Sequence, residues 1–253
     1  MTMLIETTQG ATAILTLDYP ERRNALAMQM RVELIDAIER IEADPDVRAV
    51  VVTGGGGVFS AGGDISGMNV ADLASGRERF RITHRLVRLI IGSAKPFIAA
   101  VEGYAVGAGL SLALCCDTVV AGTSAKFNAS FNKVGLVGDF GLLHTLPRRV
   151  GEGNARQILL YGETIDATRA ERIGLVDHLV AEGDALGTAL ARAEKFASAA
   201  PLPVAMTKSW LSAGLADALE WERNTQSALF LTQDHAEGKD AFLSKRPPAF
   251  KGM

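Results

Sequence analysis

Two glycine-rich stretches hold the residues best placed to do chemistry: VFSAGGDI at 58–65 and EGYAVGAGLSLALCCD at 102–117. Each follows an apolar run of β type, Val47 to Val52 and Phe97 to Val101. The pattern predicts two strands that each leave a sheet into a tight turn. Glycine allows positive φ and lets a ligand approach the backbone closely. The second stretch becomes apolar at helical spacing, which predicts a buried helix. Two such turns meeting at one point would aim two backbone N–H groups at one oxygen, one of them backed by a helix N-terminus. That arrangement stabilises an oxyanion.

Other readings of glycine-rich turns compete with this one. Taken alone, either stretch also reads as a plain turn. Neither gives the strand–GxGxxG–helix order of a dinucleotide fingerprint, and neither has the Gly-Lys-Ser/Thr of a phosphate loop.

The elements that must position these turns alternate through the first half of the chain. ATAILTLD (11–18), VRAVVVTG (47–54), PFIAAVEG (96–103) and DTVVAG (117–122) read as strands, and Met28 to Glu42 and Phe80 to Ile91 as helices. Helices follow at Ala155 to Leu160, Ala167 to Arg172, Ala185 to Ala199, Pro203 to Leu211 and Trp221 to Leu231. This order predicts an α/β fold with a helical C-terminal region. The prolines of Ala200-Pro201-Leu202-Pro203 punctuate it, dividing an α/β core over 1–200 from a helical region over 201–253.

Composition fits an enzyme of ordinary kind. The chain has 253 residues, 48% of them apolar, enough to bury a sizeable core. A net charge of −3 gives no general attraction to nucleic acid. No apolar run approaches the ~20 residues of a membrane span. The N-terminal segment lacks a basic stretch leading into an apolar one, so no signal peptide is expected. Adjacent Cys115 and Cys116 read as small packed hydrophobes in a reduced, cytoplasmic setting. His144, His178 and His235 show no metal-ligand spacing, and no metal or redox cofactor is expected.

These motifs, with PERRNALAMQM (20–30), KVGLVGDFGLLHTLPRRVG (133–151), ERIGLVDHLV (171–180) and FLSKRPPAFKG (242–252), resemble in order those of the enoyl-CoA hydratase/isomerase (crotonase) family. The resemblance covers nearly the whole chain. It implies a crotonase-like spiral of ββα turns with C-terminal helices that trimerise, giving a homotrimer or hexamer. It also implies an acyl-CoA thioester substrate, with CoA entering only as part of that substrate. The implied oxyanion donors are the backbone N–H groups of Gly63 and Ala108. The implied CoA contacts are Arg23, Asn24, Ala25 and Leu26, then Ala61, Gly62, Asp64 and Ile65, and finally Lys251.

Hydratases of the family use two glutamates, whose matching positions here are Ser111 and Phe131. Neither can deprotonate a water as a carboxylate does. One acid remains in register, Asp139, matching an acid found in several isomerases. Its neighbours Val137, Phe140 and Leu142 are apolar, which would raise its pKa by desolvation. Asp139 also reads as the N-cap of a helix starting near Phe140. The expected reaction is therefore isomerisation of a double bond, or of a ring epoxide, by one Asp. Phe131 and Phe140 would favour an apolar or aromatic acyl group.

Four alternatives accompany that reading. Hydration would need other groups to handle water. His84 matches the place of a catalytic His in an aryl-CoA dehalogenase of the family, which also admits dehalogenation or thioester hydrolysis. Some family members bind RNA, and Arg77, Arg79, Arg81, Arg85 and Arg88 form a local basic run; a solvated helix face is the plainer reading. A non-catalytic protein that binds CoA esters is the remaining alternative.

Overall fold

A computed structural model describes residues 2–253. In chain order the elements are β1 (Leu4–Gln9), β2 (Thr12–Leu17), α1 (Met28–Ala43), β3 (Ala49–Gly54), α2 (Leu73–Ile91), β4 (Phe97–Val101), β5 (Tyr104–Val106) and α3 (Ala108–Cys115). They continue as β6 (Thr118–Gly122), β7 (Lys126–Asn128), α4 (Leu142–Tyr161), β8 (Ile165–Asp166), α5 (Ala167–Arg172), β9 (His178–Val180), α6 (Ala185–Ala197), α7 (Pro201–Leu211), α8 (Leu215–Leu229) and α9 (Gln233–Leu243).

The larger sheet has the order β1-β2-β3-β4-β6-β9. β1 runs antiparallel to β2, and every other pair is parallel. Parallel strands covered on both faces read as unbroken apolar runs. In β3, Val50 and Val52 face the main core, while Ala49 and Val51 face a second cluster built with Ala185, Ala189 and Ala193 of α6. The smaller sheet, β5-β7-β8, forms a second layer. A repeating unit emerges: a strand of the first sheet, a short extended piece in the second layer, then a helix. β3 is followed by Ser60, which bridges to Ala105 of β5, and then α2. β4 is followed by β5 and α3, and β6 by β7 and α4. This is the expected spiral of ββα turns.

Several boundaries differ from the sequence reading. α2 begins at Leu73, a full two turns before Phe80, because Asp72 and Ser75 form a reciprocal capping box. α4 begins at Leu142, far ahead of Ala155, and turns through Gly151 at φ 75°. α7 starts at Pro201, where the missing N–H costs nothing in a first turn. The short strands β5, β7, β8 and β9, together with β1 and α9, carried too little periodicity to be read.

The turn before α1 depends on Asn24. Its buried Nδ2 donates to Gly55 O at 2.9 Å and Val58 O at 2.7 Å, and its Oδ1 accepts from Tyr19 N at 2.9 Å. Its own φ of 58° is left-handed, which Asn tolerates better than most residues. Asn24→Ala strands three polar backbone groups, and urea denaturation should show a loss of about 2–3 kcal/mol in stability. A loss below about 0.5 kcal/mol would mean that water replaces the side chain without cost.

Candidate active site

The two glycine turns are joined backbone to backbone. Ser60 N donates to Tyr104 O at 2.9 Å, and Val106 N donates to Ser60 O at 3.0 Å. Gly62, at φ 102°, lies so near the second turn that a Cβ there would stand 2.7 Å from Val106 O and 3.7 Å from Ala108 N. Gly109 is equally constrained, with Ser60 2.7 Å from the position of a Cβ. Ala108 is the first residue of α3, so its N–H has no intrahelical acceptor. Gly63 and Ala108 line one cavity together with Ala61, Gly62, Ile65 and Asp139. Its remaining wall is largely apolar: Met68, Val106, Phe131, Val134, Leu136 and Phe242, with Ser130 and Lys133 as polar members.

Asp139 is buried and is the one carboxylate on that wall. It is not a helix cap. Phe140 and Gly141 both adopt left-handed φ, 57° and 72°, which delays the helix to Leu142. Leu142 N donates to the backbone carbonyl of Asp139 at 3.1 Å, and the side chain is left out of the helix terminus. Asp139 Oδ1 has no hydrogen-bond partner among the described residues. Burial pushes its carboxyl up to about 7, with the charge of Glu222 adding to the rise; Arg31, Arg79 and His84 oppose it.

Three residues expected in the substrate pocket lie elsewhere. Ser111 is fully buried inside α3, where its Oγ donates to Gly107 O at 3.2 Å. Phe140 is fully buried with the Arg31 guanidinium 4.7 Å from its ring centre. His84 is buried against Glu222, Nε2 to Oε1 at 2.8 Å, and burial pulls its imidazole down to about 4. Phe131 alone of the four lines the cavity. The basic run on α2 is also dispersed: Arg81 pairs with Glu78, Arg85 with Glu39, Arg77 bonds Asn224, and Arg79 is half-buried.

Of the residues matched to CoA contacts, Ala61, Gly62 and Ile65 line the cavity. Ala61 N donates to Arg23 O at 2.9 Å, and Leu26 N to Gly62 O at 2.7 Å, so the 20–26 turn is clamped to the first glycine turn. Ala25 and Leu26 are buried and Arg23 is exposed at left-handed φ. Asp64 caps the short turn after it by accepting from Ser66 N at 3.1 Å. Lys251 lies exposed on the C-terminal tail, its backbone N–H donating to Asp234 Oδ1 at 2.7 Å. Asp117 takes an architectural place, accepting from Phe97 N at 2.7 Å and pairing with Lys208. Cys115 and Cys116 are buried free thiols, both pushed up by burial.

The sequence reading missed Arg31 and Glu222. Glu222 Oε2 accepts from Gly141 N at 2.8 Å, and burial pushes the carboxyl up to about 8. Arg31 is buried, donating to Leu26 O at 3.0 Å and Thr83 Oγ1 at 2.5 Å. A signal was present. Leu215, Leu219, Glu222 and Gln226 share one helical stripe, so Glu222 occupies a core position of α8. Arg31 likewise sits among Met30, Leu34 and Ile35 on the buried stripe of α1.

Comparison with known proteins gives the family. The family described as Enoyl-CoA hydratase/isomerase matches residues 7–253. A 2,3-dehydroadipyl-CoA hydratase of Escherichia coli is 37% identical over 100% of this chain and 100% of its own length. A crotonyl-CoA hydratase of Syntrophomonas wolfei is 36% identical over 94% of each. A crystal structure of an enoyl-CoA hydratase from Mycobacterium avium subsp. paratuberculosis superposes with a TM-score of 0.89 at 31% identity, covering 99% of both chains. The chain belongs to the enoyl-CoA hydratase/isomerase family, and is an acyl-CoA enzyme with the crotonase fold. Among the described residues no helix is long and apolar enough to cross a membrane, and no group of His, Cys, Asp and Glu could hold a metal ion.

A raised carboxyl carries a stability consequence. The folded protein holds the Asp139 proton more tightly than the unfolded chain, so this group's contribution is complete at acid pH and is lost as pH rises towards about 7. Asp139→Asn removes that loss. In thermal melts its Tm relative to the parent should be higher at about pH 8 than at about pH 5. An equal difference at both pH values would mean that Asp139 titrates normally.

Proposed function

We propose that this enzyme isomerises an acyl-CoA double bond through a thioester enolate, with Asp139 as its single acid/base. The observation that carries this reading is a lone carboxylate, with an unpartnered buried oxygen, in the cavity that Gly63 and Ala108 also line. Asp139 takes the α-proton of a β,γ-unsaturated thioester. The electron pair moves onto the thioester oxygen, where the Gly63 and Ala108 N–H groups receive the charge. The protonated Asp139 then delivers its proton to the γ-carbon, leaving an α,β double bond. Removal of one oxyanion donor in other enzymes costs about 3 kcal/mol of barrier, so these amides supply much of the catalysis. An acid raised to about 7 matches a base that must also return its proton near neutrality.

Hydration is the second reading, and the names of the E. coli and S. wolfei relatives favour it. It requires a group to hold and deprotonate water. The matching positions are a buried serine bonded to its own helix and the apolar Phe131. The remaining expectations from the family stand as part of this proposal. CoA is carried only as part of the substrate and lies along Arg23, Ala25, Leu26, Ala61, Gly62, Asp64 and Ile65, with Lys251 near its phosphates. The assembly is a homotrimer or hexamer in the cytoplasm. The exposed Leu202, Met206, Trp210 and Leu211 of α7 offer an apolar surface for that assembly.

The test is turnover of 3-hexenoyl-CoA and crotonyl-CoA by the parent and Asp139→Asn. Isomerisation should fall at least about 10²-fold in the variant, while hydration is weak in both. For the parent, kcat/KM should rise with pH through about 7, because the base must be ionised. Strong hydration by the parent, unaffected by the substitution, would replace this proposal with the hydratase reading.

A further inference from the structure

The turn that presents Asp139 is unfavourable on its own. Phe140 is a non-glycine residue at φ 57°, held there only by its surroundings. Three contacts converge on the two residues after Asp139. The Arg31 guanidinium covers the Phe140 ring, Cys115 Sγ donates to Phe140 O at 3.4 Å, and Gly141 N donates to Glu222 Oε2 at 2.8 Å. The last is the shortest of the three and the only N–H···O hydrogen bond among them. Glu222 is itself fixed from the other side by His84, whose ring packs 5.3 Å from that of Phe80. Neither member lines the substrate cavity.

We propose that Glu222, held by His84, is the positioning residue for Asp139: it pins the Phe140–Gly141 turn, and with it the Asp139 carboxyl, through the Gly141 N–H. The proposal rests on Asp139 being the acid/base of the reaction above. It explains why a second carboxylate is buried in α8, a helix with no residue on the cavity wall. The charged and titratable groups that share this region are Arg31 of α1, Asp64 of the first glycine turn, Arg79, His84 and Arg88 of α2, and Glu220 and Arg223 of α8. Among the side-chain hydrogen bonds of the described residues, Glu222 alone joins the Asp139 turn to α2.

Two substitutions separate loss of the hydrogen bonds from loss of the carboxyl itself. Glu222→Gln keeps an oxygen for Gly141 N–H and offers an amide N–H to His84, but removes the charge. Glu222→Leu removes both hydrogen bonds at similar volume. The readouts are kcat and KM for 3-hexenoyl-CoA and the carbon NMR titration of the Asp139 carboxyl, identified by its absence from Asp139→Asn. In Glu222→Leu the Asp139 carboxyl, released from its buried seat, should titrate at lower pH than in the parent, and in Glu222→Gln it should stay nearer the parent. In Glu222→Leu, kcat should fall about 10²-fold with KM little changed, as for a misplaced catalytic group, and Glu222→Gln should retain the greater kcat. If Glu222→Leu does not fold, His84→Gln tests the same link from the other side and should lower kcat in the same manner. A purely architectural Glu222 would lower stability without moving the Asp139 titration. An unmoved titration in both variants, or full kcat in Glu222→Leu, overturns the assignment. Because the NMR titration needs no turnover, a parent that does not isomerise would defeat the functional reading alone.

Discussion

A carbonyl oxygen at Val106 standing 2.7 Å from where Gly62 would carry a Cβ is the contact on which the site is built. Only a residue without a side chain lets two main-chain turns come so near. Everything else follows from their meeting. The sheet brings β3 and β4 side by side, and the bridge from Ser60 to Ala105 continues that pairing into the second layer. The turns then leave Gly63 and Ala108 on one wall, with the start of α3 behind one of them. What this meeting brings to the cavity is main chain rather than side chains.

A second level of organisation lies behind the wall. Arg31, Thr83, His84 and Glu222 are buried together on α1, α2 and α8, each on the inward stripe of its helix. Burying ionisable groups costs free energy unless they are bonded to one another or to the backbone. Here the bonds run to Leu26 O, to Gly141 N and between His84 and Glu222. The polar cluster thus ties the first glycine turn's neighbour, the Asp139 turn and the C-terminal helices into one unit. A hydrocarbon core would pack as tightly, but it would offer the Gly141 N–H no acceptor.

Legibility in the sequence followed locality. The apolar run of β3 and the glycines of both turns are local signals, and they placed the strands and turns correctly. The ββα spiral and the family were legible because the motifs keep their order along the chain. Asp139 was ambiguous, since an aspartate before a predicted helix favours a cap. Its fate depended on left-handed backbone at Phe140, which propensity disfavours and which Arg31, Cys115 and Glu222 impose from afar. Ser111 was placed in the pocket by a matched position and Phe140 by adjacency to Asp139, and neither says which way a side chain faces. Glu222 was illegible as a partner because it lies 138 residues from His84 and 81 from Gly141. Only its position on the apolar stripe of α8 marked it.

Two parts of this arrangement come from near the end of the chain: Glu222 on α8, and Phe242 of α9, which closes one side of the cavity. The glycine turns and Asp139 are all synthesised earlier. During synthesis the ribosome therefore releases the two glycine turns and Asp139 well before the helices that pack against them. Glu222 and Phe242 can join the Asp139 turn and the cavity wall only once those last helices dock.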